Sequence, residues 1–344
     1  MKILTIVAGD MKTYSRGRII YQGLKENGFK IKAFSVKNKL GYFRLMKRLL
    51  KRDYDLLLIN GIIPLVIAKL LSRKPIILDA FISHYDNLVN DRKKIPPNTL
   101  ESGILWWADK LSCKFAHKVI LDTQSHIDYF VKEFNLNENK FWSIPVGADN
   151  NVFVPKKKKS KIFKVVFIGT YIPLQGIEYI VKAIKILEKE NIVFDIVGEG
   201  QTKKEIMKLA KKLKIKNTNF YGNQSLENLT NFMKEADICL GIFGKSDKTK
   251  KVVPNKVYEG IAMNKAVITS HTRAICEDFS HKKDIYLCTQ ANAKSLAKSI
   301  LCLKNNPKLR ENIANNGYKL FKKKFSCKKI GKRLGGLINE DSLQ

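Results

Sequence analysis

Short apolar runs alternate with longer amphipathic stretches along the first half of the chain. The apolar runs are four to eight residues long, as expected of buried strands, and the stretches between them follow the 3.6-residue period of helices. Alternation of this kind predicts a parallel sheet covered by helices on both faces. The predicted strands are KILTIVAG, FKIKAFSV, DLLLIN, PIILDAF and HKVILD.

The same pattern restarts after a lysine-rich stretch, KKKKSK at 156–161, which is interpreted as a polar linker. A second parallel sheet is predicted from KVVFIG, VFDIVG, NTNFYG, DICLGIF, AVITS and IYLC. The predicted fold class is therefore α/β, with two Rossmann-like doubly wound domains that face each other across a cleft. The predicted domains are 1–155 and 156–325, followed by a C-terminal helix, 326–344, that packs towards the first domain.

One stretch of the second half, VVPNKVYEGIAMNKAVITS at 252–270, predicts a short helix followed by a strand. Pro254 suits a first helical turn, Asn255 is an alternative cap, and Asn264 suits a left-handed end. The helical period places Lys256 and Glu259 on one polar face. Gly260 and Met263 share that face, while the predicted core positions are Val257, Tyr258 and Ile261. An exposed Lys–Glu pair worth about 0.2–0.5 kcal/mol is the alternative to a binding role for this face.

Composition and charge narrow the number of domains and the kinds of partner that the chain could bind. The chain has 344 residues, 44% of them hydrophobic, which is enough for two cores. Its net charge of +33 is spread over both halves, +11 in residues 1–150 and +22 in the rest. Anionic lipid, phosphorylated substrates or a merely lysine-rich surface would each fit this charge. Nucleic acid is not predicted as a partner, because no nucleic-acid-binding motif accompanies the charge.

Cysteine spacing and apolar run length predict a cytoplasmic protein. The six cysteines show neither a CxxC pair nor metal-ligand spacing, which favours reduced thiols. The longest apolar run, 56–71, falls short of the ~20 residues that span a bilayer, and no targeting segment is recognised. The DYD at 53–55 is interpreted as a turn, and no metal site is predicted.

Five segments resemble, in order and spacing, motifs of the retaining glycosyltransferase family four, which has the GT-B fold. They are IPVGADNNVF, VVFIGTYIPLQGIEYIVKAI, DIVGEGQ, EADICLGIF and the stretch at 252–270 with its P-x-K-x-x-E pattern. The resemblance implies a polysaccharide-building enzyme. It would need no cofactor, take a UDP- or GDP-sugar as donor and use a glycan or lipid-linked acceptor.

The resemblance also implies which residues hold the donor. Glu259 would accept both ribose hydroxyls, and Lys256 with the helix N-terminus would face the diphosphate and stabilise its departure. The remaining donor residues implied by the motifs are Gly169, Thr170, Gly176, Gly198, Gly200, Asn255 and Val257.

Three positions depart from the family pattern. Lys251 stands near the place of the first of two glutamates, Thr170 replaces an arginine and Gln175 replaces a lysine. The hypothesis is that Lys250 and Lys251, in the loop GKSDKTKK at 244–251, supply the missing cations. The alternative is that this loop is a solvated charged segment.

In the first half, Gly9 ends the first strand, and Gly9 and Arg16 are predicted to lie on the acceptor side of the cleft. Asp79 and His84 lie where the family often presents a histidine near the donor sugar, so they are candidate catalytic residues. The alternative for His84 is an ordinary loop histidine. Two other functions stay open: a sugar-nucleotide epimerase, and a non-catalytic homologue that binds a partner transferase or a glycan.

The segment GYFRLMKRLLKR at 41–52 predicts a basic amphipathic helix. It is interpreted either as an ordinary sheet-covering helix or as a helix whose basic side meets an anionic membrane surface. In the second case we expect the protein to attach peripherally to the inner face of the membrane, without insertion. High salt should release it.

Overall fold

A computed structural model describes residues 1–156 and 161–340. The chain divides into two compact units: residues Met1–Asp149 with the segment that begins at Lys324, and residues Asn150–Lys323. Four residues of the predicted linker at 156–161, and the last four residues of the chain, lie outside the described residues.

The first unit contains a six-stranded parallel sheet in the order β2-β1-β3-β4-β5-β6. Its strands are β1 Lys2–Ala8, β2 Lys30–Val36, β3 Leu56–Asn60, β4 Ile76–Asp79, β5 Lys118–Leu121 and β6 Phe141–Ser143. The helices that connect them are α1 Ser15–Glu26, α2 Lys39–Leu50, α3 Ile62–Leu71, α4 Leu100–Phe115 and α5 Gln124–Phe134. A π-helical turn, Asp86–Asp91, precedes α4.

Alternation along β3 shows how this sheet is covered. Leu57 and Ile59 pack into a core with residues of α2, α3 and α5. Leu56 and Leu58 point the other way, into a core shared with α1 and with the C-terminal segment. Because successive side chains of a strand face opposite sides, each side of the sheet has its own core.

The second unit repeats this plan with the order β12-β11-β10-β7-β8-β9, again all parallel. Its strands are β7 Lys164–Ile168, β8 Val193–Val197, β9 Thr218–Tyr221, β10 Ile238–Leu240, β11 Ala266–Ser270 and β12 Tyr286–Cys288. Its helices are α6 Ile177–Ile186, α7 Lys203–Lys212, α8 Leu226–Glu235, α9 Asn255–Ala262, α10 Arg273–Cys276, α11 Ala293–Asn305 and α12 Pro307–Leu320. The predicted α/β class with two parallel sheets is confirmed.

The last helix, α13 Cys327–Glu340, packs against α1 in the first unit. The two helices approach closely at Gly23 and Gly331, since a Cβ on Gly331 would lie 2.0 Å from the carbonyl carbon of Gly23. The side-chain Nδ2 of Asn27 donates a 2.9 Å hydrogen bond to the carbonyl oxygen of Lys328. Residues near the two ends of the chain therefore belong to one core.

Gly331→Ala is expected to destabilise the first unit by about 1–3 kcal/mol, because the added methyl group overlaps the backbone of α1. Gly336→Ala is the matched control. It lies in the same helix with no atom near its Cβ direction, so helix propensity alone predicts a gain of about 0.5–1 kcal/mol. Urea unfolding followed by tryptophan fluorescence reports on this unit, since all three tryptophans lie in it. Equal midpoints for the two variants would contradict the close contact.

Within the described ranges, 1–156 and 161–340, no helix is both long enough and apolar enough to cross a bilayer.

Candidate functional site

Three loops meet at the carboxyl ends of the strands in the second unit. They follow β7, β8 and β10, and backbone hydrogen bonds tie them together. The amide of Tyr171 donates to the carbonyl of Glu199 at 2.8 Å, and the amide of Phe243 donates to the carbonyl of Gln175 at 3.0 Å. The loops therefore form one bonded surface, at the edge of the sheet where doubly wound folds bind ligands.

Glycines allow these loops to touch. A Cβ on Gly198, whose φ is 141°, would lie 2.1 Å from the carbonyl oxygen of Gly169. Gly200, at φ 149°, lies against the backbone of Tyr171, and Thr170 Cγ2 lies beside it. These motif glycines therefore hold the β7 and β8 loops together.

Gly176 has a similar packing role. Its φ is 64°, and a Cβ there would lie 2.3 Å from the backbone nitrogen of Gly244. The glycine serves the contact between the β7 and β10 loops. The space on its Cβ side is filled by the backbone of Phe243 and Gly244, and its role toward the donor stays a prediction.

Lys256 lies at the centre of this loop surface. Its side chain is buried, 8% exposed, and its Nζ donates a 2.5 Å hydrogen bond to Oε1 of Gln175. The same Nζ sits 3.8 Å from the centroid of the Phe167 ring, a cation–π contact. A Cβ on Gly169 would lie 2.3 Å from it. The alternative of an exposed Lys256–Glu259 surface pair is therefore wrong.

Burial lowers the pKa of Lys256 from 10.5 to about 7, and the negative charge of Glu259 offsets this only in part. The polar partner of the ammonium, Gln175, is neutral and itself buried. A buried cation without a full counter-charge is costly, so the site favours arrival of an anion.

Helix α9, which carries Lys256, is buried more completely than the sequence pattern predicts. A Cβ on Gly260 would lie 2.7 Å from Val267 of β11, so this glycine lets the helix approach the sheet and not a ligand. Met263 is also buried. Gly260 and Met263, which share the predicted polar face of α9, therefore belong to the buried core instead.

The two ends of α9 differ in how well they were predicted. Pro254 occupies the N-cap position and Asn255 the first helical turn, so Asn255 is not a cap. Asn264 has a φ of 55°, as predicted for the left-handed end. Val257 is fully buried, and its backbone N–H donates to the carbonyl of Pro254. Neither its side chain nor its N–H is therefore free to contact the donor substrate.

Glu259 lies one helical turn after Lys256 and is half-buried. It is close enough to act on Lys256 electrostatically, and Lys256 Nζ bonds to Gln175. The two charges are thus neighbours on one helix, which suits binding of a ligand with a phosphate next to a diol.

The loop at 244–251 is an ordered part of the unit. It forms a 3-10 turn, Asp247–Lys250, in which Thr249 is fully buried and Lys248 is 9% exposed. Lys250 is exposed and donates to Asp247 at 2.8 Å, while Lys251 is half-buried. The solvated-loop alternative therefore does not hold for Lys248 and Thr249, which are buried. The role of Lys250 and Lys251 as replacement cations stays a prediction. The buried Lys248 was not predicted.

A separate cavity of about 360 Å³ lies in the first unit, at the carboxyl ends of β1, β3 and β4. Gly9 lines it with a φ of 120° and no atom within 4 Å of its Cβ direction, so the backbone there is open to a ligand. Asp79 and His84 line the same cavity, as do Asp10 and Asp109. The structure thus brings three of the four residues predicted in this half to one cavity.

The fourth residue, Arg16, does not line this cavity. It is 1% exposed; its Nε donates to Asp79 at 2.9 Å and its Nη1 to the carbonyl of Ile144 at 2.8 Å. Tyr14 donates to the second oxygen of Asp79 at 2.6 Å, and burial raises its pKa well above the usual value. Asp79 is therefore a buried anchor between β4 and α1, held by two donors that the sequence pattern did not single out as its partners.

His84 is exposed at the rim of the cavity, and its position is fixed by Asp109. The Asp109 carboxylate accepts hydrogen bonds from the amides of His84 and Tyr85 and from the hydroxyl of Ser83. Burial raises the pKa of Asp109, and these bonds oppose the rise. A loop position that is set by a buried carboxylate leaves the imidazole of His84 available to a ligand.

Asp53 and Asp55 lie in an exposed turn, as the sequence predicts; Asp55 accepts a 2.7 Å hydrogen bond from the amide of Lys2. In the part of the chain that the structure describes, no group of three or more His, Cys, Asp or Glu side chains could hold a metal ion.

Residues 149–320, half of the chain, match the family model "Glycosyl transferases group 1". The chain belongs to the group 1 glycosyltransferases. The matched range contains all the predicted donor residues.

Two curated relatives illustrate the membership. The lipopolysaccharide core biosynthesis glycosyltransferase LpsD of Rhizobium meliloti is 25% identical over 169 residues, 49% of this chain and 47% of the relative. The N,N'-diacetylbacillosaminyl-diphospho-undecaprenol alpha-1,3-N-acetylgalactosaminyltransferase of Campylobacter jejuni is 28% identical over 222 residues, 60% of this chain and 56% of the relative. The chain thus spans about half the length of the curated relatives it matches.

Solved structures show the fold. HepE from Anabaena, crystallised in complex with UDP, has 16% sequence identity and a TM-score of 0.73, with 99% of this chain and 100% of that chain covered. Sucrose-phosphate synthase from Thermosynechococcus elongatus has 13% identity and a TM-score of 0.76, with 99% of each chain covered. This group 1 glycosyltransferase therefore has the GT-B fold that the sequence motifs imply.

Proposed function

We propose that this group 1 glycosyltransferase moves a sugar from a nucleoside diphosphate sugar to a hydroxyl group of a glycan or lipid-linked acceptor, with retention of the anomeric configuration. The observation that carries the proposal is the buried Lys256, whose Nζ lies against Gly169 with only the neutral Gln175 and the face of Phe167 as polar or π partners described for it. A diphosphate at this position supplies the missing negative charge.

The donor is placed by two charges on α9. Lys256 binds the diphosphate, and the adjacent helix N-terminus contributes about half a positive charge. Glu259 accepts hydrogen bonds from the ribose hydroxyls, each strengthened by the charge of the carboxylate. Since negative charge grows on the leaving diphosphate as the sugar bond breaks, Lys256 stabilises the transition state more than the bound donor.

The acceptor enters the cavity of the first unit beside Gly9 and His84. The cavity is lined by carboxylates and by Tyr14 and Asn60, groups that suit a polyhydroxyl ligand. His84 is the exposed imidazole of this lining and takes part in placing the acceptor hydroxyl.

What is known of the similar proteins supports these assignments. HepE was crystallised with UDP and with UDP-glucose. The Campylobacter jejuni relative is named for transfer to a diphospho-undecaprenol-linked sugar. A uridine nucleotide donor and a lipid-linked acceptor are accordingly the first pair to test.

The proposal is tested by incubating the protein with a panel of UDP- and GDP-sugars and measuring released nucleotide and glycosylated product. We expect one donor to give product, with the anomeric configuration of the donor retained in the proton NMR spectrum. Inverted product would overturn retention alone. Binding of nucleotides without turnover on any acceptor would favour the non-catalytic homologue, and a changed sugar still attached to its nucleotide would favour the epimerase.

A further inference from the structure

Helix α4 buries its polar side and exposes its apolar side. The residues that it buries are Ser102, Asp109, Ser112 and Cys113. Its exposed side carries five large apolar side chains at the spacing of a single helical stripe: Leu100, Ile104, Trp107, Leu111 and Phe115. Leu100 is 85% exposed and Trp107 53%. A helix on a water-exposed surface normally shows the opposite arrangement.

Two further helices on the same side of the sheet extend the stripe: α3 packs against α4, and α2 packs against α3. Exposed apolar side chains follow helical spacing there too. On α3 they are Ile63, Val66 and Leu70, and on α2 they are Leu40, Phe43, Met46 and Leu50. We call the twelve side chains on α2, α3 and α4 the apolar face. Twelve exposed apolar side chains on three adjacent helices exceed what water-exposed surfaces usually carry and mark an interaction site.

Basic residues surround the apolar face. Along residues 39–52, 62–74 and 100–115, all of them described, the acidic residues are Glu101 and the buried Asp109. The exposed basic residues in the same ranges are Lys39, Arg44, Lys47, Lys51, Arg52, Lys69, Arg73, Lys74 and Lys114. The surroundings of the apolar face are therefore strongly positive.

We infer that the apolar face inserts into the interfacial layer of an anionic membrane, while the surrounding lysines and arginines contact lipid headgroups. An apolar stripe flanked by cations, with a tryptophan at its centre, matches the composition of helices that lie in a membrane interface. A protein partner would need a matching set of acidic residues, whereas anionic headgroups supply that charge continuously.

This inference goes beyond the proposed activity and does not depend on it. It also changes the expectation from the sequence, which limits membrane contact to the basic side of α2 and predicts release by salt. Phe43 and Leu50 point outward from α2, so charge is joined by apolar contact that salt does not screen.

The test is sedimentation of the full-length protein with vesicles of phosphatidylcholine alone or mixed with phosphatidylglycerol. We expect binding to the mixed vesicles that persists at about 1 M salt, where the Debye length is only about 3 Å. The triple variant Leu70→Gln, Ile104→Gln, Trp107→Gln should bind at least about a hundredfold more weakly.

The matched control is a triple variant with exposed apolar residues of the second unit replaced: Ile186→Gln, Met207→Gln and Leu226→Gln. It removes as many apolar side chains from outside the apolar face and should bind as the wild type does. All six positions are exposed, so both variants should keep the circular dichroism spectrum and melting temperature of the wild type.

A spectroscopic test separates insertion from surface attachment. In the variant Trp106→Phe, Trp142→Phe, fluorescence comes from Trp107 alone. Its emission should shift to shorter wavelength on binding, and lipids brominated in the acyl chain should quench it. If the double variant does not fold, the wild type is compared with Trp107→Phe, and the shift and quenching should be lost in that variant.

Three outcomes would overturn the inference. Complete release from mixed vesicles by high salt would show attachment by charge alone. Unquenched Trp107 emission on vesicle-bound protein would place the apolar face outside the lipid. A dimer in sedimentation velocity that the first triple variant dissociates, together with no vesicle binding, would make the face a contact between two copies of the chain.

Discussion

Replacing Lys256 by methionine is expected to weaken binding of a nucleoside diphosphate about a hundredfold and to leave binding of the nucleoside unchanged. Charge-assisted hydrogen bonds contribute about 1.5–3 kcal/mol each, and about 2.7 kcal/mol corresponds to a hundredfold change in affinity. Methionine has a similar length and fills the space over Phe167 without the charge. Titration calorimetry with UDP and with uridine measures both affinities.

The same substitution should not destabilise the free protein at neutral pH, because it removes a costly buried amine. Lys265→Met is the matched control. Lys265 is also buried and its Nζ donates to the carbonyl of Lys234 at 2.6 Å, but it precedes β11, at the opposite edge of the sheet. Loss of diphosphate affinity in the control as well would contradict a specific role for Lys256.

Diphosphate binding should also take up a proton at alkaline pH. The free protein has a Lys256 pKa of about 7, and a bound diphosphate raises it because opposite charge favours the protonated amine. Well below pH 7 the amine is already charged, so little uptake is expected there. At about pH 8 uptake should approach one proton, and affinity should fall as the pH rises further above 7. Calorimetry in two buffers of different ionisation enthalpy measures the uptake, and equal heats at about pH 8 would exclude this linkage.

Glu259→Gln is expected to weaken binding of nucleoside and nucleoside diphosphate alike, by at least about a hundredfold. Two charge-assisted bonds to the ribose hydroxyls are lost or reduced to neutral ones, at about 1.5–3 kcal/mol each for the charged form. Stability should change little, since glutamine keeps the size of this half-buried side chain on α9. This pattern differs from that of Lys256→Met, which discriminates between the two ligands.

Deoxynucleotides give the sharper test of Glu259. The wild-type protein should bind 2'-deoxy-UDP and 3'-deoxy-UDP more weakly than UDP, whereas the Gln variant should bind all three with similar affinity. This design is a double-mutant cycle in which the ligand carries one of the two changes. A Gln variant that still discriminates against the deoxy ligands as strongly as the wild type does would rule out the ribose role.

Local patterns were sufficient to predict the fold and to bring the predicted donor residues to one edge of a sheet. Strand and helix periods follow from side-chain direction, so two parallel sheets could be predicted without any contact information. Asn264 could be predicted as a left-handed end because few residues tolerate that conformation. The order and spacing of short motifs were enough to bring Gly169, Lys256 and Glu259 to one edge of one sheet.

Burial and pairing were decided only by the tertiary structure. The helical period of α9 shows that Lys256 and Gly260 share a face. It does not show that β11 covers Gly260, or that Lys256 donates to Gln175, which is 81 residues away in the chain. The sequence around Arg16 does not show whether its side chain faces a ligand or a buried partner. In the structure it faces the buried Asp79. Helix α4, which exposes its apolar side, shows the same limit of sequence patterns. Its two stripes are visible in the sequence, but which stripe meets the protein depends on the neighbouring elements, because periodicity fixes relative side-chain direction and not what lies opposite.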